Sequence, residues 1–505
     1  MNTSTRTQPQ TRTQTPRTGP VGTPATPGSR GEDTAGPAAR TAPTTPTPAV
    51  HGTVGDLLLR ARRAARAWES LDQAQTDAIV RAAARAAADA AHSLASVAVE
   101  ETRRGNVTDK EAKNLFAATT VAEDLLSQPT VGVIEVDEQR GLTHIAEPVG
   151  VVLALTPVTN PTSTAVFKSL LCLKTRNPVV FAFHPSAQRC SAEAARTVRD
   201  AAVAAGAPRD CIQWVEEPDM ATTRELLASP EISMVLATGG NAMVHAAYSS
   251  GHPAIGVGAG NVPAYIHASA DVERAVGDIV ASKTFDNGMI CASEQAVIID
   301  EAVWERAVSA FLDLGVHLTD CAETRALEEL LFGTHSGAPG VEEARLRPDV
   351  VGQSAPELAR RAGLGVAPST TVLASLVPAV GREHPLSREK LCPVLAVIRV
   401  PTTSAGIEAA GRMVELDGMG HTAVVHTEDP EVVDLFSARV RAVRILVNAP
   451  AALGAIGGIY NALTPSLTLG CGAFGHTSVS DNVTARHLLN VKHVAHRRTP
   501  VTAHA

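Results

Sequence analysis

Aromatic residues are scarce in this sequence, at 3% of its 505 residues, so a core must be built mainly from alanine, valine, leucine and isoleucine. Long apolar runs are missing too: none reaches the roughly 18 residues that a membrane-spanning helix needs, and no span is expected. A surplus of basic charge is also absent, because the net charge is −8 at pH 7. A nucleic-acid-binding surface is therefore not predicted.

Paired cysteines are another absence. The seven cysteines are an odd number, lie far apart and include no C-x-x-C pair; they are Cys172, Cys190, Cys211, Cys291, Cys321, Cys392 and Cys471. This pattern argues against a disulfide framework or a metal site and is typical of a reducing compartment. The N-terminus lacks the apolar core of a secretory signal, and its prolines oppose the amphipathic helix of a transit peptide. We therefore expect a cytoplasmic protein without a bound metal.

The length predicts two or three domains, because 505 residues are too many for one hydrophobic core. Residues 1–50 are almost wholly Thr, Pro, Arg, Ala and Gly, and we expect them to form a disordered tail. Alanine-rich segments such as QTDAIVRAAARAAADAAHSLASVAVEE follow and predict helices. The next segment, VGVIEVDEQRGLTHIAEP, has two alternating runs around a polar turn and predicts a β-hairpin.

After Glu147, short apolar strands alternate with helical segments. VGVVLALTP, NPVVFAFHP and ISMVLATGG are three of the strands, and STAVFKSLLCLKTR is one of the helices between them. This order predicts an α/β fold with a parallel sheet that is covered on both faces. Dinucleotides bind at the carboxyl ends of such strands. A second α/β stretch begins near Ser282.

One cysteine, Cys291, lies in the loop-like run KTFDNGMICASEQ. A cysteine thiolate attacks a carbonyl to give a tetrahedral adduct, which would make this residue a nucleophile. No histidine lies within ten residues of it, so the sequence displays no local Cys-His dyad. A packing role stays open on chemistry alone, since free cysteine is among the most commonly buried residues.

The segment FDNGMICASEQ resembles the nucleophile motif of the CoA-acylating branch of the aldehyde dehydrogenase superfamily. Four further segments resemble that branch in the same order: IAEPVGVVLALTPVTNPTSTAVFKSLLCLKTRN, LATGGNAMVHAAYSSGHPAIGVGAGN, EKLCPVLAV and TPSLTLGCGAFGHTSVSDNV. The resemblance covers roughly residues 55–497. In particular, the chain is similar to the aldehyde-oxidising half of bifunctional aldehyde-alcohol dehydrogenases and to acylating sulfoacetaldehyde dehydrogenases.

This resemblance implies an aldehyde dehydrogenase-like α/β fold, with a Rossmann-type cofactor domain, an α/β catalytic domain and a small oligomerisation β-hairpin. We expect N-terminal helices, the hairpin and the dinucleotide-binding domain at 51–281, and the catalytic thiol domain at 282–475. A C-terminal segment at 476–505 is expected to return to the cofactor and oligomerisation region. In the family this segment and the hairpin join subunits, which implies a homo-oligomer, a dimer or larger.

The resemblance also implies that Cys291 attacks an aldehyde, that hydride passes to NAD and that a thioester remains on the sulfur. The collapsing adduct carries an oxyanion that needs hydrogen-bond donors. The family takes one from the backbone N–H of the nucleophile and one from a side-chain amide, here in the loop TPVTNP. We predict Asn160 as that amide. Thr159 is the alternative, because it falls at the position of the family's asparagine.

The general-base glutamate of hydrolytic family members has no counterpart here, because Val257 stands in its place. Valine cannot deprotonate water, and general-base assistance is typically worth about 10²–10⁴ in rate. The thioester is then left for CoA. A glycine-rich turn selected only for backbone shape is the other interpretation of this segment, GVGAGN. The expected reaction is NAD-dependent, CoA-acylating oxidation of a short aldehyde, and acetaldehyde is the default substrate.

Several alternatives stay open. Sulfoacetaldehyde is a second candidate substrate, and succinate semialdehyde is a third. A hydrolytic aldehyde dehydrogenase that releases the free acid is another possible function, against which the missing glutamate argues. A non-enzymatic scaffold is the remaining alternative, and it is disfavoured because both Cys291 and Glu389 are retained.

The cofactor-binding residues are predicted at strand ends. Thr238, Gly239 and Gly240 follow the strand ISMVLA and precede a helical segment, so their N–H groups are expected to face a pyrophosphate. His184 and Pro185 follow the strand VVFAF and resemble the adenosine-side loop of the acylating branch.

Three further residues complete the predicted cofactor site. Gly256 and Gly258 belong to the glycine-rich turn, and Glu389 matches the glutamate that family members direct at the nicotinamide ribose. Ala182 replaces the ribose-binding lysine of hydrolytic members, so NADP remains possible beside NAD. Lys168, one helical face from a strand end, is predicted to be a solvated lysine.

Overall fold

The computed structural model describes residues 53–498. The predicted tail at 1–50 therefore lies outside the described residues, as does the end of the predicted C-terminal segment, 499–505. A helical layer comes first, and its members are α1 (Val54–Trp68), α2 (Gln73–Asp89), α3 (Ala91–Thr102), α4 (Val107–Ala118) and α5 (Thr120–Ser127). Helix α1 begins at a capping box in which the Thr53 and Asp56 side chains each accept a backbone N–H. Within residues 53–498, no helix combines the length and apolarity that crossing a bilayer requires.

The predicted hairpin is present. Strands β1 (Gly132–Asp137) and β2 (Leu142–Pro148) pair antiparallel; β1 is mostly exposed, and β2 is mostly half-buried. The last described strand, β15 (Leu489–Ala495), pairs antiparallel with the other edge of β2, with Leu489 opposite Pro148. The result is a three-stranded sheet in the order β1-β2-β15.

A five-stranded parallel sheet follows, in the order β5-β4-β3-β6-β7. Its strands are β3 (Val152–Leu155), β4 (Val179–Ala182), β5 (Ile212–Trp214), β6 (Met234–Thr238) and β7 (Ala254–Val257). Its helices are α6 (Pro161–Lys174), α7 (Gln188–Ala204), α8 (Met220–Ala228) and α9 (Asn241–Tyr248). The chain runs outward from β3 to β5 and then returns to β6 on the other side of β3. The carboxyl ends of β3 and β6 therefore form a topological switch point, where such sheets bind ligands.

Helix α6 crosses this sheet with all 14 of its residues buried. Lys168 is accordingly not the solvated lysine that the sequence predicts. Its Nζ donates to the carbonyl oxygens of Leu155 and Leu236 at 2.6 and 2.8 Å and so joins the ends of β3 and β6. The prediction was wrong because this helix has no solvent-exposed face on which a lysine could lie.

The second parallel sheet has seven strands in the order β10-β11-β12-β9-β8-β13-β14. They are β8 (Val262–Ile266), β9 (Glu294–Asp300), β10 (Val316–Thr319), β11 (Val372–Leu376), β12 (Val394–Val400), β13 (Gly420–His426) and β14 (Ala442–Val447). Its helices are α10 (Val272–Thr284), α11 (Trp304–Asp313), α12 (Cys321–Phe332), α13 (Ala355–Ala362), α14 (Thr403–Asp417), α15 (Pro430–Arg439) and α16 (Ala451–Ala455). The central strands are buried on both faces, as expected for a covered parallel sheet.

The predicted α/β class is confirmed, with two parallel sheets and a separate hairpin sheet. The first strand of the second sheet begins at Val262, before the domain boundary placed at 282 on the sequence. The boundaries at 281 and 475 stay a prediction.

Candidate active site

A cavity of about 430 Å³ lies between the two parallel sheets. Most of the predicted site residues line it: Cys291, Asn160, His184, Pro185, Thr238, Gly239, Gly240, Gly258 and Glu389. The alternative oxyanion donor, Thr159, lines it too. Of the predicted set, Gly256 alone lies behind the cavity wall.

The thiol of Cys291 has a histidine partner that the sequence analysis missed. His421 Nε2 lies 3.2 Å from Cys291 Sγ. The two residues are 130 positions apart, so only the packing of β13 beside the loop before β9 brings them together. The one local signal for His421 was its position at the amino end of the apolar run TAVVH. The other ring nitrogen, Nδ1, lies 3.0 Å from Thr422 Oγ1.

Both members of this pair are neutral at rest. Burial raises the pKa of the Cys291 thiol to about 12, and the nearby Glu389 carboxylate adds to the rise. Burial, with a smaller contribution from the Arg444 cation, lowers the pKa of His421 to about 3. The thiol proton is thus retained on sulfur and lies beside an uncharged imidazole.

Gly260 permits the close approach of these groups. A Cβ at this position would lie 2.3 Å from the carbonyl oxygen of Cys291 and 3.1 Å from Cγ of His421. Its backbone N–H donates to Glu389 Oε1 at 2.9 Å, which fixes the carboxyl group on the cavity wall. Burial is the main cause that raises the pKa of Glu389 to about 7.

The facing wall is the 156–160 loop, between β3 and α6. Asn160 Nδ2 donates to Thr159 Oγ1 at 3.1 Å, and Asn160 Oδ1 accepts from Lys113 Nζ at 2.7 Å. The amide has a second N–H, and the Thr159 hydroxyl keeps its own proton. Each side chain therefore retains a donor for an oxygen in the cavity, and the choice between them stays open.

The wall formed by the first sheet has the features of a nucleotide site. Gly240 caps helix α9, whose first-turn N–H groups and positive dipole end favour an anionic ligand. A Cβ at Gly240 would meet no atom within 4 Å, so the approach to this helix end is open. The N–H of Gly239 is already engaged by the carbonyl oxygen of Val257, at 3.4 Å. Gly258 passes close to Asn241, whose Oδ1 would lie 2.6 Å from an added Cβ.

Gly256 has a packing role instead. It lies in β7 with α9 directly above it, and an added Cβ would be 2.6 Å from Val244 Cγ1 and 2.8 Å from Tyr248 Cε2. Its N–H donates to Tyr248 Oη at 2.9 Å. The glycine thus sets the height of α9 over the sheet rather than touching a bound ligand.

The residues present fit a polar cofactor. Thr156 and Thr238 line the cavity, and within residues 53–498 their buried hydroxyl oxygens have no hydrogen-bond partner. Buried hydroxyls normally have a partner, so a ligand with polar groups would satisfy them. The imidazole of His184 also lines the cavity, and Nδ1 accepts the N–H of Ser186 at 3.1 Å. Burial is the main cause that lowers the pKa of His184.

Comparison with known proteins yields a family and several relatives. The model of the aldehyde dehydrogenase family matches residues 30–319. An aldehyde-alcohol dehydrogenase from Streptococcus pneumoniae serotype 4 is 53% identical over 413 residues, which are 82% of this chain and 47% of the relative. The chain thus spans about half the length of the first curated relatives it matches.

Two solved structures extend the comparison. An acetylating aldehyde dehydrogenase from Geobacillus thermoglucosidasius is 43% identical with a TM-score of 0.85, covering 88% of this chain and 97% of that one. A propionaldehyde dehydrogenase from Rhodopseudomonas palustris is 26% identical with a TM-score of 0.77, over 88% of this chain and 98% of that one. The latter was solved with bound CoA and an acylated cysteine.

Proposed function

The chain belongs to the aldehyde dehydrogenase family, and we propose that it oxidises a short, uncharged aldehyde to its CoA thioester with NAD as hydride acceptor. The observation that carries the proposal is the contact of Cys291 with His421 at 3.2 Å, at a cavity wall where valine replaces the water-activating acid. Acetaldehyde is the proposed substrate.

The first step is attack on the aldehyde. His421 Nε2 accepts the Cys291 proton, the sulfur forms a bond to the carbonyl carbon and the carbonyl π pair moves to oxygen. Asn160 or Thr159, together with the backbone N–H of Cys291, donates to that oxyanion. Removing one such donor costs about 10²–10³ in rate in other enzymes. We therefore expect the donors of the 156–160 loop to contribute to kcat on a scale similar to that of the groups around the thiol.

The second step is loss of hydride from the adduct, which leaves a thioester on Cys291. The nicotinamide cofactor supplies the two-electron acceptor when it is bound. We propose that Thr238 and Gly240 hold its phosphates at the start of α9, and that Gly239, whose N–H is bonded to the carbonyl oxygen of Val257, shapes this turn. The remaining contacts are proposed for Gly258, for His184 and Pro185 on the adenosine side, and for Glu389 at the nicotinamide ribose; Gly256 acts through the position of α9.

The third step is thiol exchange. The proton received from Cys291 has left to solvent, so His421 is again neutral and accepts the proton of the CoA thiol. The CoA sulfur attacks the thioester carbon, the bond to Cys291 Sγ breaks, and His421 returns the proton to the departing thiolate. Val257, 2% exposed, contributes no base for a competing water, which supports thioester transfer over hydrolysis.

The charge of the cavity supports an uncharged substrate. Among its lining residues the ionisable groups are Cys291, the imidazole of His184 and the carboxyl groups of Asp219 and Glu389, and none is a lysine or arginine. A sulfonate or carboxylate on the aldehyde would have no cation to pair with there, and burying an unpaired charge is costly. Sulfoacetaldehyde and succinate semialdehyde are therefore expected to be poorer substrates than acetaldehyde.

The proposal is tested by following NADH formation from acetaldehyde with and without CoA, and by identifying the product. We expect turnover that requires CoA and yields acetyl-CoA, and loss of that turnover in Cys291→Ala. The same assay with NADP in place of NAD measures the cofactor preference. The assay with sulfoacetaldehyde or succinate semialdehyde in place of acetaldehyde decides the substrate class. Turnover at full speed without CoA would instead establish the hydrolytic function.

We also propose a homo-oligomer that joins through the β1-β2-β15 sheet. Val133, Val136, Val491 and Val494 are exposed on this sheet, where apolar side chains gain from being covered. Light scattering of the purified protein measures the oligomer, and charged substitutions at Val133 and Val136 are expected to break it. A cytoplasmic location is proposed as well, since the seven cysteines are free thiols.

A further inference from the structure

Two lysines of α4 and one buried aspartate connect the two loops that form the reaction centre. Lys110 Nζ donates to Asp286 Oδ2 at 3.0 Å and to the carbonyl oxygen of Thr159 at 3.1 Å. Lys113 Nζ donates to the same carboxylate oxygen at 2.5 Å and to Asn160 Oδ1 at 2.7 Å. The three charged side chains are 2%, 4% and 0% exposed, so water does not replace these contacts.

On one side the cluster fixes the loop that leads to the nucleophile. Asp286 has a left-handed backbone with φ of 48°, which is uncommon for a residue other than glycine. Its Oδ1 accepts the N–H of Asn106 at 3.0 Å, and its own N–H donates to Asp109 Oδ2 at 2.7 Å. A Cβ at Gly105 would lie 1.8 Å from that Oδ1. The loop is thus held against the helical layer five residues before Cys291.

On the other side the cluster fixes the amide of Asn160. This residue is the N-cap of α6, where an asparagine normally accepts a backbone N–H of the first turn. Asn160 makes no such bond. Its Oδ1 is bonded to Lys113 instead, and an ammonium group has only donors, so the atom facing it must be the amide oxygen. The amide nitrogen is therefore directed away from Lys113, with one N–H on Thr159 Oγ1 and the other left for a ligand.

We propose that Lys113 is a positioning residue: it fixes the amide of Asn160 so that its free N–H meets the oxyanion, while Asp286, itself bonded to Lys110, holds the Lys113 ammonium in place. This inference rests on the proposed function, because it needs an oxyanion in the cavity. The positive charge beside Oδ1 also polarises the amide, which strengthens its N–H as a donor.

A double-mutant cycle tests the inference. Lys113→Met removes the ammonium at similar volume, and Asn160→Ala removes the amide. Loss of one oxyanion donor costs about 10²–10³ in rate, so we expect Lys113→Met to lower kcat by about 10–100-fold with the KM for CoA little changed. In the Asn160→Ala background the same change is expected to cost less than about threefold, because the amide it positions is gone. Lys113→Gln, which retains a donor, is expected to restore part of kcat.

Lys174→Met is the matched control. Lys174 is a buried lysine of α6 that pairs with Asp77 at 2.5 Å. Its removal is expected to lower the melting temperature while kcat stays within about twofold of the wild type.

Equal losses from Lys113→Met with and without the Asn160 amide, or an unchanged kcat in Lys113→Met, would overturn the inference and leave the proposed function intact. A wild-type protein that forms no acyl-CoA would overturn the proposed function and this inference with it. Should Lys113→Met fail to fold, Lys113→Gln is taken through the same cycle, where a smaller loss of kcat is expected that again disappears in the Asn160→Ala background; equal losses in both backgrounds would overturn the inference.

Discussion

The two parallel sheets meet the cavity at opposite ends of their strands. In the five-stranded sheet the carboxyl ends face it, and the last residues of four strands line it, namely Leu155, Ala182, Thr238 and Val257. In the seven-stranded sheet the amino ends face it: Cys291 precedes β9, Glu389 precedes β12 and His421 lies at the start of β13. One edge thus presents helix N-termini and open backbone, and the other presents reactive side chains.

None of the described strands of the second sheet lines this cavity with its carboxyl end. Tyr265 Oη donates to Asp300 Oδ1 at 2.8 Å, and the N–H of Ala268 donates to Asp300 Oδ2 at 2.9 Å. Tyr265, Asp300 and Ala268 are thus paired with one another, whereas both ring nitrogens of the buried His426 have no hydrogen-bond partner within residues 53–498. The carboxyl end of a parallel sheet is therefore not a binding site by itself. Unpaired polar groups at such an edge are available to a ligand only where they line a cavity, as the hydroxyls of Thr156 and Thr238 do.

The largest effect is expected when the two histidines at opposite ends of β13 are replaced in turn. We expect His421→Ala, at the amino end of β13, to lower kcat by about 10²–10⁴, the usual worth of acid–base assistance. His426→Ala, at the buried carboxyl end of the same strand, is expected to lower the melting temperature and to leave kcat within about threefold. Steady-state kinetics and thermal unfolding of both variants measure the difference. Comparable losses of kcat in the two would remove the contrast between the strand ends.

A second test addresses the charge at the amino end of β9. Glu294 is fully buried, one oxygen accepts the N–H of Ala451 at 2.8 Å, and the other has no partner within residues 53–498. Burial raises its pKa from 4.5 to about 7. The folded state therefore holds this proton more tightly than the unfolded state, so the stabilisation is complete below about pH 4.5 and is lost as pH rises through about 7.

The isostere Glu294→Gln does not ionise. We expect its free energy of unfolding to exceed that of the wild type by up to about 3 kcal/mol at pH 8, and the gap to shrink towards pH 5. Urea denaturation at both pH values measures it, and taking the difference between the two proteins removes the titration of Glu389 and of the buried lysines. A gap that does not change with pH would contradict an ionisation of Glu294 in this range.

The smallest expected effect belongs to the first sheet. Gly256→Ala places a methyl group against Val244 and Tyr248, and such overpacking typically costs about 1–3 kcal/mol. Because α9 is displaced, we expect the Kd for NADH to rise about tenfold while kcat at saturating cofactor changes less than about threefold. Fluorescence titration measures the Kd. Gly277→Ala in α10, where an added Cβ meets no atom within 4 Å, is the control and should bind NADH normally.

Much of this architecture could be predicted because its signals are local. Short apolar strands, the hairpin alternation and the glycines after ISMVLA identify strands and strand ends without reference to the rest of the chain. The residues that hold the centre together could not be found in this way. His421 is 130 positions from Cys291, and Lys113 is 47 from Asn160, so their contacts exist only after the sheets and the helical layer have packed.

The sequence also does not reveal which residues become buried when the chain folds. A lysine is usually a surface residue, and nothing in the sequence around Lys168 indicates otherwise. Only the complete enclosure of α6 makes Lys168 a link between two strand ends. Gly256 shares a turn motif with Gly258, yet one lies under a helix and the other on the cavity wall.

The hairpin sheet has a consequence for how the protein is made. Strand β2 receives its second neighbour only when residues 489–495 have been synthesised, since Leu489 pairs with Pro148 and Ala495 with Leu142. Contacts between such distant positions form late and slowly, because the entropy of closing a long loop is lost before the contacts contribute any stabilisation. During translation the free edge of β2 is therefore available for mispairing with another nascent chain. The strands proposed to join subunits would then also be the strands that are open to mispairing until residues 489–495 are available.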